Sequence, residues 1–258
     1  MFKNTYPNFE NKKLLKVEML ESLRDFPREI FELLYRDAAN GIVTGVQVQA
    51  GDHELLISPG ILCWNNMLYS CGETVKIPYQ TLDKLVYLKV RFAKGFTGAG
   101  RQDYLTQIYI DSQAPDQCLE IELARFRLQE GAGLRDQYTG FFDYETEFDT
   151  INRIHVPYSA VGRSTIWPEL LKEFAKTLMK HPVRNPWDHS FCLNCLQLSQ
   201  GMPCEAISQY LEVRLQERRA SYTNEEIFKA LGRILHDADG REPIKTNENN
   251  EPRKMMLW

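Results

Sequence analysis

Residues 41–70 read GIVTGVQVQAGDHELLISPGILCWNNMLYS, and the alternation in this stretch decides the fold class. Val43, Gly45, Gln47 and Gln49 alternate against Ile42, Val46 and Val48. That period of two puts successive side chains on opposite faces of a strand. Leu55–Ile57 follows a turn at Gly51-Asp52, and Ser58-Pro59-Gly60 forms a second tight turn. Asn65-Asn66, set between Ile61–Trp64 and Met67–Ser70, suits a two-residue hairpin loop, because asparagine tolerates the left-handed dihedrals such loops need. Further strands are predicted at Thr74–Ile77, Leu85–Phe92, Tyr104–Ile110 and Leu119–Leu128, with a flexible glycine-containing loop at Lys94–Arg101. Short strands at this spacing predict an antiparallel β-sandwich or barrel-like module over residues 41–128.

On the N-terminal side the period changes. Leu15, Met19, Leu20 and Leu23, then Ile30, Phe31, Leu33 and Leu34, recur at helical steps within residues 1–40. Pro27 predicts a pair of helices, since it lacks an N–H and disfavours helix at Phe26, and Asn40-Gly41 predicts a left-handed stop. On the C-terminal side, residues 129–166 are turn-rich and aromatic and read as an extended arm or linker. Residues 167–240 read as a small helical domain. It opens at Pro168, continues with helices at Phe191–Leu198 and from Pro203 to about Arg219, and ends with Glu225–Asp237 behind a Thr223/Glu226 capping box. Residues 241–258 are expected to be disordered. The predicted class is α+β.

The 258 residues include 43% hydrophobic and 26% charged residues, the balance of a chain with a packed core, and the formal net charge is −4. Lys and Arg are interleaved with Asp and Glu, so a nucleic-acid partner is not expected. With no apolar leader and no run near the ~20 residues of a membrane span, the protein is expected in the cytoplasm or assembled into a particle. Its six cysteines are expected to be free thiols.

His189, Cys192, Cys195 and Cys204 form H-x2-C-x2-C-x8-C, a spacing that could close a zinc site. A helix with buried thiols is the favoured alternative, as Cys192 and Cys195 lie three apart beside Phe191 and Leu196. Asp143, Glu145, Glu147 and Asp149 alternate with Phe142, Tyr144, Thr146 and Phe148, so an extended run would align four carboxylates. These could bind calcium, act as acid and base, or, as favoured here, discourage unwanted strand pairing. Gly98-Ala99-Gly100-Arg101 lacks the Lys-Ser/Thr and the helix of a phosphate loop. No nucleophile elbow, metalloprotease motif or dinucleotide fingerprint occurs. Neither catalysis nor a cofactor is expected.

The order of the motifs carries more than any one of them. A helical segment leads into Gly41-Ile-Val-Thr-Gly-Val46, then Ile57-Ser-Pro-Gly-Ile61, then Asn65-Asn66 with Tyr69. Ile121-Glu-Leu-Ala-Arg-Phe-Arg-Leu128 follows, with Gly131, Gly133 and Tyr138 beyond it. This resembles modules of phage tail baseplate and fibre-attachment proteins over residues 14–160; asparagines stand where such modules more often have glycine, and residues beyond 160 have no counterpart in them. The resemblance implies a structural subunit of a phage-derived tail, prophage or contractile injection particle. Its partners would be other tail or baseplate subunits, and it could form a homo-oligomer. Aromatic anchors would carry such docking, and Trp64, Tyr69, Phe141, Phe142, Tyr144 and Phe148 are the candidates. The arm, long for a loop, is expected to contact a partner. A carbohydrate-binding or adhesion sandwich, a hydrolase using residues 143–149 and a helical adaptor are the alternatives.

Overall fold

The computed structural model describes residues 4, 7–80, 83–93, 95–98, 101–182 and 185–240. The chain is α+β. Helix α1 (Val17–Leu34) precedes eleven described strands: β1 (Gly41–Gly45), β2 (Val48–Ala50), β3 (Glu54–Ile57), β4 (Gly60–Trp64), β5 (Met67–Cys71), β6 (Val75–Pro78), β7 (Val86–Phe92), β8 (Phe96–Gly98), β9 (Arg101–Asp103), β10 (Thr106–Asp111) and β11 (Glu120–Phe126). A short 3-10 turn at Phe141–Glu145 leads to α2 (Pro168–Leu178), α3 (Pro186–Leu196), α4 (Cys204–Leu215) and α5 (Asn224–Ala238).

The strands build three antiparallel three-stranded sheets, ordered β1-β4-β5, β2-β3-β6 and β10-β7-β11, with β8-β9 a separate hairpin. Among the described strands no barrel closes. The loop expected at Lys94–Arg101 is in its described part this hairpin, with Phe96 opposite Asp103. Asn65 and Asn66 both take positive φ (48° and 61°), and Trp64 pairs with Met67 across them, the geometry of a tight two-residue hairpin. Gly45 and Gly60 face each other across β1 and β4. A Cβ on Gly45 would lie 2.1 Å from the Pro59 carbonyl oxygen, so the backbones meet where only glycine fits.

Two helical expectations change. The expected N-terminal helical pair is one continuous helix with Pro27 inside it. Proline takes away the N–H that would bond the Leu23 carbonyl; Leu23 is exposed, so water can satisfy that carbonyl. Nor is Asn40-Gly41 the helix stop: α1 ends at Leu34, and Gly41 opens β1, where a Cβ would lie 2.6 Å from the Pro157 carbonyl oxygen.

Residues 129–166 do not extend away from the body. Leu134, Phe141, Tyr144, Ile151, Ile154, Val156, Tyr158 and Ile166 are buried, and they join the strands and the helices in one hydrophobic cluster. Backbone bonds stitch the segment in place: Arg125 exchanges N–H···O bonds with Asn152, and the Ile42 N–H donates to the Pro157 carbonyl. The arm is therefore internal packing. The tail at 241–258 lies outside the described residues.

Candidate docking interface

Helix α1 carries its apolar side chains at a strict seven-residue repeat: Met19-Leu20, Leu23, Phe26-Pro27, Ile30, Leu33-Leu34. Its acids and bases (Glu18, Glu21, Asp25, Arg28, Glu29 and Glu32) occupy the opposite arc, where Arg28 and Glu32 pair at 2.8 Å. Such a stripe is the pattern of a helix seated on other apolar surface. Yet none of its side chains is buried: Leu23 is 47% exposed, Phe31 53% and Leu34 71%.

The root of this helix is fixed. The Asn65 N–H donates to Asn40 Oδ1 (2.8 Å), and Asn66 Nδ2 donates to the Arg36 carbonyl (2.9 Å), so the β4–β5 turn grips the segment after α1. Ser159 Oγ donates to the Ala39 carbonyl from the other side (2.7 Å). A rigid base thus holds out an apolar helix that its own chain leaves uncovered.

The other candidates disperse. Trp64 stacks on Phe92 (centroids 4.5 Å apart) in the core, and Tyr69 meets the same ring edge-on. Phe141 stacks on Phe228 at 4.6 Å and Tyr144 on Tyr138 at 4.0 Å. Burial therefore gives Trp64, Phe141 and Tyr144 an internal role in place of the expected anchoring one. Phe142 is 39% exposed and stacks on His236, while Phe148 lies half-buried under the Arg127 guanidinium.

The acidic run is not a strand face, because Phe141–Glu145 winds into a 3-10 turn. Asp143 is bound by Arg135 (2.5 Å), by the Thr139 N–H and by the Thr146 hydroxyl. The Arg135 guanidinium holds its carboxyl well below the usual carboxylate range. Glu147 pairs with Arg127, and Asp149 accepts from the Gln129 N–H. Asp143, Glu147 and Asp149 thus serve three separate contacts.

The zinc spacing is also overturned. Among the described residues no three His, Cys, Asp or Glu side chains are grouped to hold a metal. Cys192 and Cys195 are fully buried, His189 is exposed, and Cys204 Sγ bonds the Ser164 carbonyl. Burial, with Asp188 adding to it, pushes the Cys192 thiol up to about 12.

No family model matches the sequence, and no curated protein matches it. Two solved structures are similar in outline. One is a chain of the type VI secretion system TssK-TssF-TssG baseplate subcomplex, 8% identical, covering 92% of this chain and 100% of that chain at a TM-score of 0.39. The other is the crystal structure of TssK, 7% identical, covering 90% of this chain and 71% of that one at 0.41. Overlays at these TM-scores carry no argument about function.

Two buried polar groups escape a reading of the sequence. Arg153, 2% exposed, donates to Gln47 Oε1 (2.5 Å), the Val46 carbonyl (3.3 Å) and the Tyr158 hydroxyl (2.7 Å), and its guanidinium lies 4.1 Å from the Trp167 ring centroid. It pins the 129–166 segment to the β1–β2 corner. Lys89 bridges Glu120 (3.1 Å) and Asp111 (3.3 Å), and the Tyr109 hydroxyl donates to Glu120. Burial pushes the Glu120 carboxyl up, but Tyr109, the Asp116 N–H and Lys89 outweigh it and bring the pKa to about 2. Lys89 is held by the acids around it, whereas the buried Arg153 Nε has no hydrogen-bond partner among the described residues. No sequence signal marks either one, because their partners lie from 5 to 107 positions away along the chain.

Proposed function

We propose that this chain is a non-catalytic structural subunit of a phage-tail-like baseplate or a related particle, and that it grips neighbouring subunits through the apolar stripe of α1. One observation carries the reading: a rooted helix with a heptad-spaced apolar face and no buried side chain. A helix of this kind gains its stability from packing, and contiguous exposed apolar patches mark interaction surfaces. The motif order over residues 14–160 supplies the class of assembly. The anchors move from the arm, which its own chain buries, to Leu20, Leu23, Ile30, Phe31 and Leu34.

The test is made in cells that produce such particles. The tagged chain is expected to co-sediment with them on a density gradient. The double variant Leu23→Asp/Leu34→Asp is expected to stay folded and soluble yet drop out of the particle fraction. Wild-type chain remaining free while particles assemble would remove the proposal.

A further inference from the structure

The convex stripe of α1 has a concave counterpart on the same chain. Helices α3 and α4 leave between them a groove of about 510 Å³, within the roughly 300–1,000 Å³ of clefts that enclose a ligand. Phe191 and Tyr210, stacked at 3.8 Å, lie among its lining. Trp187 and Val213 also line it and stay 57% and 42% exposed. Among the described residues no charged side chain lines the groove. Stripe and groove do not cover each other within one chain, because no side chain of α1 is buried and Trp187 and Val213 are open.

The charges beside the two surfaces are complementary. At about 3.6 residues per turn, Arg24 and Arg28 run along one flank of the α1 stripe, next to Phe31. On α4, Ala206, Gln209, Tyr210 and Val213 face the groove, which sets Glu205 and Glu212 along its outer flank. Bases therefore edge the stripe, and acids edge the groove. Arg24 and Arg28 pair with Asp25 and Glu32 in the single chain, and Glu212 with Arg218 at 3.6 Å; such exposed pairs exchange at little cost. Packing α1 on a second α1 would instead set the acids Glu18, Glu21, Asp25, Glu29 and Glu32, with only two arginines among them, against the same set. Like charges of that kind disfavour a partner.

We propose that the α1 stripe of one copy seats in the α3–α4 groove of a second copy of this chain. The inference rests on the reading of α1 as a docking helix and names its partner. An amphipathic helix laid into an apolar groove is an established mode of recognition. The apolar faces carry the contact, and the flanking charges set its register. Because the two patches differ, the contact runs head to tail: each copy offers one stripe and one groove, and association continues until a ring closes.

Light scattering over rising concentration tests this with two kinds of variant. Leu23→Asp/Leu34→Asp spoils the stripe, and Ala206→Asp or, independently, Val213→Asp puts a carboxylate at an exposed position of the groove wall. The wild-type chain should grow in mass. Each variant alone should self-associate at least about tenfold more weakly, with its urea midpoint unchanged. A mixture of stripe and groove variants should form a one-to-one pair, since each supplies the surface that the other lacks. Arg24→Glu/Arg28→Glu should weaken association roughly fivefold, and adding Glu205→Arg/Glu212→Arg should restore it. A wild-type chain that stays monomeric, groove variants that associate as the wild type does, or a mixture that stays monomeric would overturn the inference. The particle gradient separates this from failure of the parent reading. If Ala206→Asp enters particles as the wild type does while Leu23→Asp/Leu34→Asp does not, α1 grips another subunit and only the second-copy inference falls.

Discussion

Helices α1 and α5 are built to the same recipe and meet opposite fates. Each separates an apolar stripe from a charged arc, and each carries an exposed i,i+4 ion pair, Arg28–Glu32 in α1 and Glu225–Lys229 in α5. In α5 the stripe is covered: Ile227, Phe228, Ala230, Leu231, Ile234 and Leu235 are buried, and Phe228 stacks on Phe141. In α1 no side chain is buried. Amphipathic spacing therefore states which face of a helix needs cover and is silent on who supplies it. For α5 the cover is the 129–166 segment with α2 and α4; for α1 the described chain supplies none that buries a side chain.

Matched truncations test this contrast most strongly. Leu231→Ala should destabilise the chain by ~2–5 kcal/mol, the cost of deleting a fully buried leucine and leaving a cavity. Leu23→Ala, on the same type of stripe, should shift denaturant stability by no more than ~0.5 kcal/mol. Comparable losses from the two substitutions would mean that α1 packs on its own chain and would break the contrast.

Acid separates the two regions next. Its hydrogen bonds and Lys89 bring the folded Glu120 carboxyl to about 2, below the ordinary 4.5. Its contribution is thus complete above about pH 4.5 and is lost as pH falls toward 2. The shift corresponds to at most ~3 kcal/mol. Urea midpoints should fall between pH 5 and pH 3, and Glu120→Gln should flatten that slope. Association through α1 rests on apolar area, so it should persist over the same range for as long as the body stays folded. An unchanged midpoint from pH 5 to pH 3 would show that the Lys89–Glu120 pair adds nothing to the body.

Local grammar was legible where local physics decides. The Asn65-Asn66 hairpin, the antiparallel strands, the Thr223/Glu226 capping box and Pro168 at a helix start are all fixed by residues a few positions apart. Legibility failed where the outcome depends on distant partners. The aromatic segment 129–166 looked like an arm because its turns are evident in sequence, whereas its cover from α2 and α5 is not. The alternating acids would share one face only in an extended run, yet Arg135 and the Thr139 N–H hold Asp143 in a 3-10 turn. The proposed docking surface was half legible: the helix was evident from its period, its nakedness was not.

The smallest effects lie at the two N-termini and bear on why one helix needs company. Thr223 Oγ1 accepts from the Glu226 N–H, and Glu226 returns the bond to the Thr223 N–H, satisfying two orphan donors of α5. Lys16, at the same position before α1, makes no such bond. Thr223→Ala should therefore cost ~1 kcal/mol of global stability, because α5 melts only with the body around it. Lys16→Ser should add about 0.5 kcal/mol or more to α1 alone. It should raise far-ultraviolet helicity and slow amide exchange in residues 17–22 with no shift of the global midpoint. A gain in that midpoint would mean that α1 folds as part of the body, and the bare helix would then be an ordinary element of the core's cooperative unit.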